Sequence, residues 1–189
     1  MPALPQRIDT PRLVVRCWNP RDAAALKAAV DASLSTLQRW LPWAMHEPSP
    51  LEAIAARLAG FEEKFLGDSD WAFGIWSRRT GRLLGGAGLH PRRGPGALEL
   101  GYWLRDDAVG RGIISEAATA LVRAALDVAR IERVEIRSDP QNVRSTSVAR
   151  RLGFRLAGVL PLEAVTPAGQ SRDTEVWEMT RPETIRLPG

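Results

Sequence analysis

With a single cysteine, Cys17, this chain of 189 residues can form no internal disulfide, and with only His46 and His90 it has no His/Cys cluster for a structural metal. Lysine is nearly missing as well. Apart from Lys27 and Lys64 the 26 basic residues are arginines, so the formal charge of +4 and the pI of 10.1 rest on groups that do not deprotonate. Arg78-Arg79, Arg92-Arg93, Arg150-Arg151 and Arg137 are scattered along the chain rather than clustered. That pattern predicts solvated faces and no direct contact with nucleic acid. No apolar run approaches the length of a membrane span, and the opening MPALPQRIDTPRL lacks the apolar core of a signal peptide. These absences predict a soluble cytoplasmic protein that does not associate with membranes. Neither a second domain nor a repeat is needed at this length, which predicts one domain over residues 1–181 and a short tail over 182–189.

The periodicities that are present lay out the elements. Leu13 to Trp18 reads as a strand. Asn19-Pro20-Arg21-Asp22 then supplies a cap, a proline for the first turn and an acid, so a helix should begin near Pro20 and run to Val30. A second helical piece ends at Pro42. Ser49-Pro50-Leu51-Glu52 opens a third helix, with Leu51, Ile54, Leu58, Phe61 and Phe65 at helical spacing. Alternation at Trp71, Phe73 and Ile75, a turn at Arg79-Thr80-Gly81 and a partner strand from Leu83 to His90 predict a hairpin. Gly85, Gly86 and Gly88 leave its second strand bare, as a bulge or a closely packed neighbour requires. Leu98 to Leu104 is the next strand. A helix from about Gly112 follows, with Ile114, Ala117, Leu121, Ala125 and Val128 on its buried stripe and Glu116, Arg123, Asp127 and Arg130 opposite. Val134 to Ser138 should lie parallel to the strand before that helix. A short helix from Asn142 to Leu152 closes at Gly153, and strands at Phe154 to Val165 and Thr174 to Met179 flank a Pro167-Ala168-Gly169 turn.

The segment most suggestive of chemistry is Gly101-Tyr102-Trp103-Leu104 running through Val109-Gly110-Arg111-Gly112-Ile113-Ile114 into the long helix. Two glycines permit a tight turn, and the unpaired N–H groups of the helix start then face whatever anion lies there. The turn is not a Walker loop, because no Gly-Lys-Ser/Thr follows, and Ser115 stands where the dinucleotide fingerprint needs its third glycine.

Together with Thr10-Pro11-Arg12-Leu13, Trp40-Leu41-Pro42-Trp43, Asn142-x-x-Ser145 and Leu152-Gly153-Phe154, this turn resembles the GCN5-related N-acetyltransferase (GNAT) superfamily. Within it, the chain is similar to the ribosomal-protein alanine and serine N-terminal acetyltransferases. The resemblance implies an α+β (mixed α/β) fold, a mostly antiparallel central sheet with one splayed parallel pair and helices on both faces. It implies acetyl-CoA as co-substrate, no metal, and direct transfer to a primary amine, most of all the N-terminal α-amine of a protein, by a monomer or homodimer. Gly110, Arg111, Gly112, Ile113 and Ile114 would then meet the pyrophosphate, and Trp103 and Leu104 the pantetheine arm. Val109 and Ile114 depart from the family's usual turn, where Gln or Arg and Gly or Ala stand. Asn142 is either a helix cap or a CoA contact. Ser145 matches the position of a hydroxyl that protonates the leaving thiolate, or is a plain first-turn serine. Glu99 is the preferred general base, since an acid in an apolar strand is a natural proton acceptor, with His90 and Glu163 as alternatives. Trp40 and Trp43 would wall the acceptor groove, with Glu47 and Glu52 as acidic lining. A small-amine acetyltransferase, a CoA-binding sensor without turnover and an RNA-associated factor are the rival readings.

Overall fold

The computed structural model describes residues 4–166 and 169–180; the expected tail from Arg181, and Pro167 and Ala168 of the expected last turn, lie outside the described residues. The elements run β1 (Arg7–Asp9), β2 (Leu13–Cys17), α1 (Ala23–Asp31), α2 (Leu34–Trp40), α3 (Leu51–Leu66), β3 (Trp71–Ser77), β4 (Leu83–His90), β5 (Ala97–Leu104), α4 (Ile113–Arg123), β6 (Arg133–Ser138), α5 (Val143–Leu152), β7 (Arg155–Val165) and β8 (Ser171–Thr180). One eight-stranded sheet in the order β1-β2-β3-β4-β5-β6-β8-β7 carries them, antiparallel throughout except for β5 beside β6. This is the expected α+β architecture, with β1 added as an outer strand paired to β2.

Alternation along the strands divides the core between the two faces of the sheet. Leu13, Val15, Phe73, Ile75, Leu89, Leu98, Leu100, Val134 and Ile136 are buried with α4 and α5. On the other face Trp18 and Ala72, with the indoles of Trp76 and Trp103 against them, meet α1, α2 and α3. Asn19 caps the turn ahead of α1 by accepting from Arg21 N, and Asp22 completes a capping box, as its spacing predicts. At α3 the outcome differs. Ser49 Oγ donates to His46 O instead of capping, and Leu51 is exposed, so Ile54, Leu58 and Phe65 carry the buried face.

The expected stripe of α4 is correct as far as Ala125. A π-turn over Ala124–Val128 then inserts a residue into the helical repeat and carries Val128 out to solvent. Glu116, expected on the solvent side, is instead held by Thr10 and Arg12. The glycines of β4 answer both expectations made of them. A register shift lies between Ile75 and Trp76 of the partner strand, and a Cβ at Gly85 would stand 2.2 Å from Trp103 O.

Candidate active site

The parallel pairing of β5 and β6 is short. It holds Ala97 to Arg133, Leu98 to Val134 and Glu99 to Glu135 and stops there, so beyond Glu99 the two strands part. Leu100 to Leu104 and Ile136 to Ser138 form the walls of the opening, which belongs to a cavity of about 1530 Å³. Single-ligand pockets usually occupy roughly 300–1,000 Å³, so this one has room for two reactants.

Beside the opening α4 begins. Gly110 and Gly112 adopt φ of 79° and 72°, a left-handed backbone natural to glycine, and no atom lies within 4 Å of the position a Cβ would take on Gly110. The first helical bond runs from Glu116 N to Gly112 O, so the N–H groups of residues 112–115 have no acceptor inside the helix. The Arg111 side chain is exposed next to them. Ile113 and Ile114 turn their side chains into the core, so the branched Ile114 does not obstruct the loop from outside. The loop is tethered from the start of the sheet. Arg12 donates from Nη1 to Arg111 O at 2.8 Å and from Nε to Glu116 at 2.5 Å, while Thr10 Oγ1 donates to the same carboxylate at 2.5 Å. Nothing in the spacing of Thr10-Pro11-Arg12-Leu13 announces this role; its signal is only that the motif belongs to the resemblance.

Across the opening, Asn142 Oδ1 accepts from Ser145 N at 3.3 Å, which makes it the cap of α5. The Ser145 hydroxyl meets Tyr102 Oη at 3.1 Å. Burial pushes the Tyr102 phenol up to about 12, against the opposite pull of that contact, so the phenol keeps its proton at neutral pH. Tyr102 drew attention in the sequence only as part of a motif. Trp103 projects to the opposite face, where its ring packs edge-on to Trp43 with centroids 6.1 Å apart. Trp40 and Trp43 therefore do line the cavity with Trp103. Glu47 does not supply acidic lining: its side chain is enclosed and bound to Arg57 Nη2 at 2.6 Å and to Ser49 N at 2.7 Å.

Glu99 lies on the cavity wall, but its surroundings are not the apolar strand expected of it. Arg93 Nε donates to its carboxylate at 2.6 Å, and Arg92 stands 3.9 Å away. Its neighbour Glu135 is held by Arg133 at 3.0 Å and Arg137 at 3.1 Å, and Arg137 reaches on to Glu163 at 2.6 Å. Arg92, Arg93, Arg133 and Arg137 thus form a lattice of opposite charges with Glu99, Glu135 and Glu163. His90, opposite Glu99 in register, binds Asp70 Oδ1 through Nδ1 at 2.5 Å. That pair was not foreseen, because twenty residues and a turn separate its members.

The start of α4 and the parting of β5 from β6 thus open on one cavity. The chain belongs to the GNAT acetyltransferases: residues 12–155 match the family model of the acetyltransferase (GNAT) domain. It is 29% identical over 179 residues to the ribosomal protein uS5-alanine N-acetyltransferase of Escherichia coli strain K12, spanning 94% of this chain and 92% of that one. Among solved structures it superposes on RimL, a ribosomal L7/L12 α-N-protein acetyltransferase in complex with coenzyme A. There the TM-score is 0.84 at 22% identity over 94% of this chain and 97% of that one. It also matches the microcin C7 self-immunity acetyltransferase MccE in complex with acetyl-CoA and AMP, with a TM-score of 0.85 at 18% identity, covering 95% and 98%. The chain is thus an acetyltransferase of the GNAT type.

Proposed function

We propose that the protein transfers the acetyl group of acetyl-CoA to the N-terminal α-amine of a protein, a ribosomal protein foremost, by direct attack within a ternary complex. One observation carries this reading: the unpartnered N–H groups at the start of α4 open beside the parted strands β5 and β6. That juxtaposition suits a donor with a diphosphate at one end and a thioester at the other. The residues present fit it, since the space at Gly110 is open and the Arg111 side chain is exposed beside it. Gly110 to Ile114 would hold the diphosphate through backbone N–H groups strengthened by the helix dipole, with Arg111 adding charge. Trp103 and Leu104 would offer main-chain groups to the pantetheine arm. The protein acceptor is supported by the activity named for the Escherichia coli relative and for RimL.

When bound, acetyl-CoA supplies an acylating thioester; the protein's work is orientation and proton movement. The amine nitrogen attacks the carbonyl carbon, the carbon–sulfur bond breaks, and the departing thiolate takes a proton. We assign this to Ser145: its hydroxyl gives the proton, the proton that the nitrogen sheds on becoming an amide passes to water, and water resupplies Ser145 through Tyr102, whose Oη lies 3.1 Å from it. Asn142, as the cap of α5, fixes the backbone from which Ser145 projects. The test is to incubate the purified protein with acetyl-CoA and candidate ribosomal proteins, following thiol release and intact mass. One acetyl group on the N-terminal residue is the expected result. Thiol release with small amines alone overturns the protein acceptor, and calorimetry without CoA binding overturns the donor.

A further inference from the structure

The attacking amine arrives as an ammonium ion at neutral pH, since a free α-amine titrates near 8, and it must lose a proton before it can react. Around the parting of β5 and β6 the carboxylates are already engaged. Glu99 is held by Arg93, Glu135 by Arg133 and Arg137, and Glu163 by Arg137. His90 differs. Its Nδ1 is 2.5 Å from Asp70 Oδ1, which makes that nitrogen the donor and leaves Nε2 with a lone pair and no partner among the described residues. The ring lies along the floor of the cavity: a Cβ on Gly88 would stand 2.4 Å from Nε2, and one on Gly101 3.9 Å from it. Gly88 and Gly101 are paired in register, two residues past the last β5–β6 pair at Glu99. The bareness of Gly88 is what gives the imidazole its place at the mouth of the opening, on the sheet face that also carries Trp103.

We infer that His90 is the general base of the reaction, taking the proton of the acceptor amine on Nε2, and that Asp70 is its positioning residue, fixing the tautomer and the ring plane. This deepens the acetyltransferase reading and rests on it. The proton leaves the ammonium for Nε2, the freed lone pair attacks the thioester carbonyl, and the imidazolium returns its proton to water while Asp70 stays ionised. The carboxylate of Asp70 suits that role. Burial pushes it up, but the hydrogen bond and charge of His90, with Arg92 and Lys64 nearby, bring it below the ordinary carboxylate value.

With an alanine-initiated peptide as acceptor, His90→Gln should lower kcat by about a hundredfold or more, with the KM for acetyl-CoA within about twofold. Imidazole added to a His90→Gly enzyme should restore part of the rate, which a purely structural histidine would not allow. Asp70→Asn should lower kcat at least about tenfold at unchanged cofactor KM, and Asp70→Glu should recover part of it. Independently of turnover, long-range proton–nitrogen NMR of the wild-type protein should find the neutral ring protonated on Nδ1. A His90→Gln enzyme within about threefold of wild type, or a Glu99→Gln enzyme that loses turnover while His90→Gln keeps it, overturns the inference. So does a neutral ring protonated on Nε2. A wild-type protein that releases no thiol with any primary amine counts against the transferase reading instead, and the NMR result then still decides the state of His90.

Discussion

Replacing Glu116 with glutamine should loosen the tie between the start of the sheet and the phosphate loop, and the geometry gives its size. The carboxylate accepts from Thr10 Oγ1 at 2.5 Å, from Arg12 N at 2.9 Å and from Arg12 Nε at 2.5 Å. Glutamine keeps the length but loses the charge, and its amide turns a donor toward one of these three donors. Hydrogen bonds to a charged acceptor contribute about 1.5–3 kcal/mol each when sheltered. The Arg12 side chain, however, is 51% exposed and screened by water, which puts its share at the low end. A net loss of about 2–3 kcal/mol follows, or roughly 4–12 °C in Tm for a chain of this size. The loss depends on pH. Burial pushes the Glu116 carboxyl up, but the hydrogen bonds from Thr10 and Arg12 outweigh it and hold the group below its ordinary value. A carboxyl depressed in the folded state stabilises above its unfolded pKa and ceases to do so as pH falls through the folded value. The gap between wild type and Glu116→Gln should therefore be full at about pH 7 and shrink toward about pH 3. Urea unfolding at the two pH values checks both statements. A gap under about 0.5 kcal/mol at neutral pH, or one that does not narrow on acidification, refutes the reasoning. Because Arg12 also holds Arg111 O, the same variant should raise the KM for acetyl-CoA severalfold with kcat little changed.

Ser145→Ala should lower kcat by about tenfold or more and leave the KM for acetyl-CoA nearly unchanged; stopped-flow thiol release measures both. Gly112→Ala places a side chain at φ 72°, costing about 1–2 kcal/mol, and its Cβ would meet only the Arg12 guanidinium, so the variant should fold with weaker CoA binding by calorimetry. Gly60→Ala, where nothing lies within 4 Å in the middle of α3, should stabilise by about 0.5–1 kcal/mol in urea melts. Gly85→Ala, with Trp103 O in the way at 2.2 Å, should be strongly destabilising in the same assay.

Much of the fold was legible because its signals are local. Asn19 to Asp22 contains its own capping box, Gly153 stops α5 in a left-handed conformation, and the alternation of Trp71, Phe73 and Ile75 states which way β3 faces. What escaped notice depends on distant partners. β1 is three residues, Arg-Ile-Asp, without apolar alternation, and exists because β2 offers it an edge. The π-turn that expels Val128 leaves the heptad-like pattern of α4 intact in the sequence. Glu116 reads as a solvent-facing helical acid until Thr10, 106 residues earlier, is brought against it. The glycine turn lies at the start of α4 and Asn142 and Ser145 at the start of α5, as their local spacing predicts. The surroundings of Glu99 were not readable, since Arg93 reaches it only through a turn and a strand pairing, and the same pairing brings His90 beside it.

The parting of β5 from β6 has a consequence for hydrogen exchange. A strand in the middle of an eight-stranded sheet is ordinarily the slowest to trade its amide protons for deuterium. Past Glu99, every second amide of β5 faces the cleft instead of β6 and is left to water. Those few protons should be lost as quickly as on an outermost strand while Leu98 and Glu99 just before them stay protected, leaving a fast-labelling seam through the slowest layer of the molecule.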